Sequence, residues 1–201
     1  MKTLKLISLL LASGSLLLLS SCKKDDPKPE NIQEAITKAT LTFTPTSGAA
    51  VVVTATDPDG DGSKPRLLSG PINLVKNVSY TLTITLINEL AKPTDPRYDV
   101  TAEVEEEKDE HIFFFAWTNN TFSDPTGDGN VDSRRDDAVN YKDEDEKGLP
   151  LGLETSWTTI NKTDSGTFQV ILKHQPGLKS ATTTSTDGKT DLNVTFDLTV
   201  K

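Results

Sequence analysis

Three aspartates at alternate positions, Asp57, Asp59 and Asp61 in the run Asp57-Pro58-Asp59-Gly60-Asp61-Gly62, make the segment of this chain best suited to chemistry. Carboxylates so spaced, with glycines that tolerate positive φ, can curl oxygen ligands around one hard cation, which makes calcium the candidate cofactor. Two further acidic loops offer weaker ligand sets. One holds Asp128, Asn130 and Asp132, but has Ser133 where a tight loop would want glycine; the other holds Asp143 and Asp145, followed by Lys147 in place of a third ligand. The competing reading of all three is an Asp/Gly turn whose carboxylates cap backbone amides.

The first run resembles the opening half of an EF-hand-like loop, and departs from it at the twelfth position, where Leu68 stands instead of a bidentate glutamate. Any calcium there must be completed from elsewhere in the chain or by water. The two histidines, His111 and His174, each fall at the boundary of an apolar strand-like run and are expected to be ordinary strand-end residues. A closed tetrahedral zinc site is hard to assemble from two histidines and one cysteine without carboxylates. The chain has no Gly-x-Ser-x-Gly, no cysteine placed for nucleophilic work and no phosphate-cradling glycine loop, so no catalytic residues are assigned and the expectation is a non-enzyme. A small carboxylate-based hydrolase is the least favoured alternative, since paired acids need a separation across a cleft that spacing does not reveal.

The elements that must position these loops follow from the residue pattern. Short β-type runs alternate with Gly, Pro, Asn and Asp clusters: 40–44, 51–56, 79–88, 112–118, 153–159, 167–173 and 192–200. Tyr80, Leu82, Ile84 and Leu86 recur every second residue, as do Leu192, Val194, Phe196 and Leu198. Period two puts one face in a core and one in water. The expected fold is therefore all-β, an immunoglobulin-like antiparallel sandwich of about 7–9 strands with one short surface helix. The helix is expected between Asp99 and Glu110, where Val100 and Val104 share a helical face and Asp99 can cap it; an edge strand over 100–104 is the alternative. The aromatic run Phe113-Phe114-Phe115-Ala116-Trp117 must face both ways, so either its strand is central and covered on the second face by the helix or the 119–140 loop, or it exposes a contact surface.

The first residues read as export and anchoring. Lys2 and Lys5 precede an apolar run over 6–19, too short for the ~20 residues of a transmembrane helix, which ends at Leu19-Ser20-Ser21-Cys22. This resembles the lipobox of bacterial lipoproteins, in which the cysteine thiol takes diacylglycerol and the chain is cut before it. The resemblance implies a signal peptide over 1–21, a lipidated Cys22 opening a tether over 22–36, and a sandwich domain over 37–201. Lipid on the single cysteine leaves no partner for a disulfide, so stability must come from packing or metal. Pro27 and Pro29 bias the tether toward extended geometry at ~3.1 Å per residue, enough to hold a domain ~35 to 40 Å from the lipid.

Removing Lys2 and Lys5 from the 21 basic residues leaves 19 against 30 acidic ones, a formal charge of about −11. Such a surface disfavours nucleic acid and leaves membrane attachment to the lipid. Lys23-Lys24-Asp25-Asp26 resembles the charged signal that sends some lipoproteins of Bacteroidetes-type bacteria to the outer face of the outer membrane; a tether start without sorting information is the alternative. With Asp57–Gly62, Asp109-Glu110-His111, the segment from Gly148 through Leu149, Pro150, Leu151, Gly152 and Leu153 to Trp157, and Lys173-His174-Gln175-Pro176, it makes the mature chain similar to a group of small Bacteroidetes-type lipoproteins. That resemblance implies architecture and an outer-membrane, lipid-anchored location, and no activity. The functional expectation is a non-enzymatic binding or accessory module on the bacterial envelope, with a protein or glycan partner; a calcium-stabilised structural envelope domain is the alternative.

Overall fold

The computed structural model describes residues 35–60, 64–131 and 139–201; Cys22, the tether up to residue 34, Asp61 and Asp132 lie outside the described residues, and Ile36, at the tether's expected end, is buried in the core. Two sheets pack face to face. The larger contains β1 (Lys38–Pro45), β2 (Val51–Thr56), β3 (Leu67–Leu68), β5 (Ser79–Ile87), β7 (Phe122–Asp124), β8 (Asn140–Tyr141) and β9 (Glu154–Thr159), in the order β3-β2-β1-β5-β9-β7 with β8 also on β9. The smaller contains β4 (Ile72–Leu74), β6 (His111–Trp117), β10 (Asp164–His174) and β11 (Lys189–Val200), in the order β4-β11-β10-β6. The expected all-β sandwich is therefore present. Each of the seven expected runs falls on one of its long strands, three of them overrunning it by one residue, and four strands of two or three residues, too short to show a period, join them. One pair departs from antiparallel order: β4 lies parallel to β11, with Leu198 opposite Ile72.

Alternation builds the core. Tyr80, Leu82, Ile84 and Leu86 of β5 are buried, with threonines between them at 81, 83 and 85, where a β-branched side chain fits the pleat and its hydroxyl tolerates water. The smaller sheet answers with Phe168, Val170 and Leu172 of β10 and Val194, Phe196 and Leu198 of β11. Trp157 sits where the sheets meet, its ring centroid 5.1 Å from Trp117, 4.8 Å from Phe122 and 5.0 Å from Phe168, and its indole N–H donates to Thr155 Oγ1. Edge-to-face contacts of this kind add to the stabilisation from burial alone.

The aromatic strand is a correction to expectation. β6 is an edge strand, and both its faces are nevertheless covered. Phe113, Phe115 and Trp117 enter the main core, while Ile112 and Phe114 form a second cluster with Ile171, against which Val131 packs. Loops seal its free backbone edge. Phe113 N donates to Leu151 O, Trp117 N to Asp128 O, and Phe115 N to the side-chain oxygen of Asn130, whose own N–H donates to Phe115 O. An open edge so apolar would template aggregation. The approach is so close that a Cβ at Gly129 would collide with the carbonyl of Phe115, and its φ of +102° is one that glycine takes without strain.

The helix expected after Asp99 is α1 (Val100–Glu106), with the Asp99 side chain accepting from Ala102 N and with Val100 and Val104 buried. It joins the end of β5 to the start of β6, so it closes the end of the sandwich at which β1 and β11 begin and β10 finishes. Among the described residues no helix is long and apolar enough to cross a membrane.

Candidate functional site

The closed end of the sandwich brings together side chains that sequence separates widely. His111 opens β6 and His174 ends β10, and the register sets them directly opposite one another. His111 shares the face of Phe113, Phe115 and Trp117, and His174 that of Phe168, Val170 and Leu172, so both rings point toward the interior. They stack with centroids 4.3 Å apart and planes 13° from parallel.

Carboxylates surround the stack. Glu107, at the C-cap of α1, brings a side-chain oxygen to 3.9 Å from His174 Nε2, and Glu110 brings one to 3.3 Å. Asp191 Oδ2 lies 4.0 Å from His111 Nε2, with both side chains fully buried. A β-bulge puts Asp191 there. Between β10 and β11 the register passes from Leu172 opposite Leu192 to Lys173 opposite Thr190, so Asp191 is the extra residue, turned inward beside its buried neighbour Leu192. One donor atom each from Glu107, His111 and His174 falls within 4.8 Å of the other two.

The tautomer of His111 is fixed by its partner. Nδ1 is 3.1 Å from the backbone carbonyl of Glu107, and a carbonyl only accepts, so Nδ1 carries the proton and Nε2 is the lone-pair nitrogen of the neutral ring. Beside this group Lys173 Nζ donates to Thr190 Oγ1; burial lowers its pKa, against the opposing charges of Asp191 and Asp187. Beyond it Lys179 Nζ donates to Lys108 O and pairs at 3.1 Å with Asp145 Oδ2, both side chains essentially without solvent contact.

The acidic loops divide differently. Asp57 is nearly buried and pairs at 3.2 Å with Arg66, whose guanidinium also reaches Asn193 O. Its other oxygen, Oδ1, is buried without a hydrogen-bond partner among the described residues, and so is Asp59 Oδ1, while Asp59 Oδ2 accepts from Lys64 N. In the two loops singled out as secondary, Asn130, Asp143 and Asp145 hold backbone and neighbouring side chains, while Asp132 lies outside the described residues. Asn130 is 1% exposed, its carbonyl taken by β6 and its amino group donating to Tyr141 Oη. Asp128 lends its carbonyl to the same strand. Asp143 accepts from Gly152 N and Glu154 N; its pKa is raised, because burial outweighs those bonds. Asp145 accepts from Lys147 N and Leu149 N. Burial works to raise its pKa, but the backbone amides and the Lys179 ammonium prevail, and it is lowered.

Asp143 also lines a shallow cleft with Thr83, Thr101, Glu105 and Glu154.

The histidine cluster is what sequence reasoning missed. The carboxylates whose absence argued against a site are supplied by α1 and by the bulge. One signal was available: at 111 and 174 each histidine keeps the parity of the buried aromatics and aliphatics of its own strand. A scan against protein-family models, a search of curated proteins and a search of solved structures each find no match to this chain.

Proposed function

We propose that this chain is a non-enzymatic lipoprotein of the bacterial envelope, a β-sandwich binding or accessory module held to the outer membrane through Cys22. The carrying observation is the order of the parts: basic start, short apolar run, small residues, the single cysteine, a Pro-containing acidic tether, and then a first strand at Lys38. The lipid supplies membrane affinity and the tether supplies reach, so the acidic sandwich needs no basic patch to stay at the surface. Its partner is a protein or a glycan rather than nucleic acid, on the ground of charge. The test has two stages. Metabolic labelling with an alkyne fatty acid should mark the protein in membranes, and Cys22→Ala should abolish both the label and the membrane fraction; an unlabelled, secreted parent would overturn the anchor. Crosslinking from intact cells, followed by glycan arrays, should recover one reproducible partner, and a blank in both would remove the binding module.

A second reading, a calcium-stabilised envelope domain, is favoured by one observation. Asp57 Oδ1 and Asp59 Oδ1 are buried acceptors without hydrogen-bond partners among the described residues, an arrangement that a cation would stabilise. Thermal melts of the full chain in calcium and in chelator should differ by an upward shift with calcium, by mass action on the native state. Asp57→Ala with Asp59→Ala should erase that difference, and identical melts for the parent would end the reading.

A further inference from the structure

We infer that Glu107, His111 and His174 form a binding site for one divalent transition metal ion of the zinc type, with Asp191 and Glu110 placed to complete its shell. Four observations converge on it. The donor set is two imidazoles with carboxylates, the chemistry that zinc and its first-row neighbours take and that calcium and magnesium, which prefer all-oxygen shells, do not. The donor atoms of the three residues lie within 4.8 Å of one another. His111 donates its Nδ1 proton to the Glu107 carbonyl, the outer-shell hydrogen bond that orients a ligating histidine and turns Nε2 toward the cluster. His174, with its side chain 8% exposed, brings Nε2 to 3.3 Å from Glu110 and 3.9 Å from Glu107, so the same cluster gathers around its ring.

Charge points the same way. Three carboxylates, Glu107, Glu110 and Asp191, converge on two imidazoles at a nearly closed end of the sandwich, where a divalent cation would offset their charge. The side chain of Glu107 is 44% exposed, which gives an ion a route to a pair of rings that are otherwise closed off. A tetrahedral shell with bonds of ~2.1 Å sets neighbouring donors ~3.4 Å apart, so binding draws the rings out of their parallel stack and pulls Glu107 inward. The ligands come from the C-cap of α1 and from the ends of β6 and β10, with Asp191 at the start of β11. A bound ion therefore clips the helix to three strands of the smaller sheet, a stabilising role in a chain that has no disulfide to do it.

The experiment uses the full chain, purified in detergent without a histidine tag and stripped with chelator. Zinc titrated by calorimetry should bind at one equivalent with sub-micromolar affinity, and Co²⁺ should give the intense visible bands of a four-coordinate N/O site. His174→Gln should weaken zinc at least 100-fold, and Glu107→Gln, at a half-exposed position where folding is not at stake, about 10-fold or more. Asp57→Asn with Asp59→Asn should leave zinc affinity unchanged, which separates this site from the calcium reading. Excess calcium should not displace the cobalt. If His174→Gln fails to fold by circular dichroism, Glu107→Gln and the cobalt spectrum carry the test. No stoichiometric zinc, or equal affinity in the parent and Glu107→Gln, would overturn the site and leave the two rings as a packed pair among acids.

Discussion

The aspartate loop after β2 and the histidine cluster under α1 both draw on charged side chains at turns, yet they are built in opposite ways. The loop is local: Asp57 and Asp59 lie two apart in sequence, their spacing advertises a cation, and Arg66, which pairs with Asp57, comes from nine residues on. The cluster is assembled from four separate elements, with each member brought in by strand register, a helix cap or a bulge. The local device can be read without a fold but depends little on it. The assembled device is invisible until the fold exists, and its groups are buried deeply enough for the fold to depend on them.

The largest expected effect tests that difference in depth. Lys179→Met leaves the Asp145 carboxylate buried without its ammonium, and should lower stability by about 3–5 kcal/mol in urea denaturation of the full chain. Arg66→Met breaks the more exposed Asp57 pair and should cost about 1 kcal/mol or less. Equal costs would erase the distinction.

Acid should act on the same end of the molecule with two signs. Asp145 has a lowered folded pKa, so its contribution is in place above the unfolded value of ~3.9 and is lost as pH falls through the lowered folded one. Asp143 has a raised folded pKa. Its ionisation opposes folding above that raised value, and the penalty disappears as pH falls toward the unfolded one. Urea midpoints from pH 7 to pH 2 should therefore show both variants converging on the parent at the acid limit, Asp145→Asn from below and Asp143→Asn, which removes an ionisation that opposes folding, from above. Parallel curves for both would mean that neither carboxylate is coupled to folding as its surroundings imply.

Smaller effects sharpen the contrast. Asp99→Ala removes the cap of α1 and should cost about 1 kcal/mol; because α1 carries Glu107, it should weaken zinc more than calcium. Asp59→Asn should change metal-free stability by no more than ~0.5 kcal/mol, since it alters an oxygen that has no partner among the described residues, while abolishing any calcium-dependent shift in the melt. A calcium shift that survives Asp59→Asn would move the calcium elsewhere.

Much of the frame was legible because period-two alternation survives translation into structure: β5 and β11 bury the very residues whose spacing marked them. The helix was legible through Val100, Val104 and the Asp99 cap. The short strands β3, β4, β7 and β8 were not, because two or three residues carry no period and exist only where a longer strand offers them backbone partners. Nor could the acidic loops be ranked in advance. Asn130 has the residue type of a ligand, but its amide is committed to the exposed edge of β6, a need that arises only after that strand takes its place at the sheet's edge.

By itself the sequence determined which residues face a core, where turns must fall, and that the chain is acidic and cysteine-poor, because hydrophobic periodicity, turn chemistry and net charge are properties of neighbours along the chain. Only the tertiary structure decided that His111 and His174 stack, that Asp191 turns inward, and that Glu107 and Glu110 meet them. Those juxtapositions follow from strand register and one bulged residue, and a shift of a single position in either pairing would send the same side chains to the opposite face.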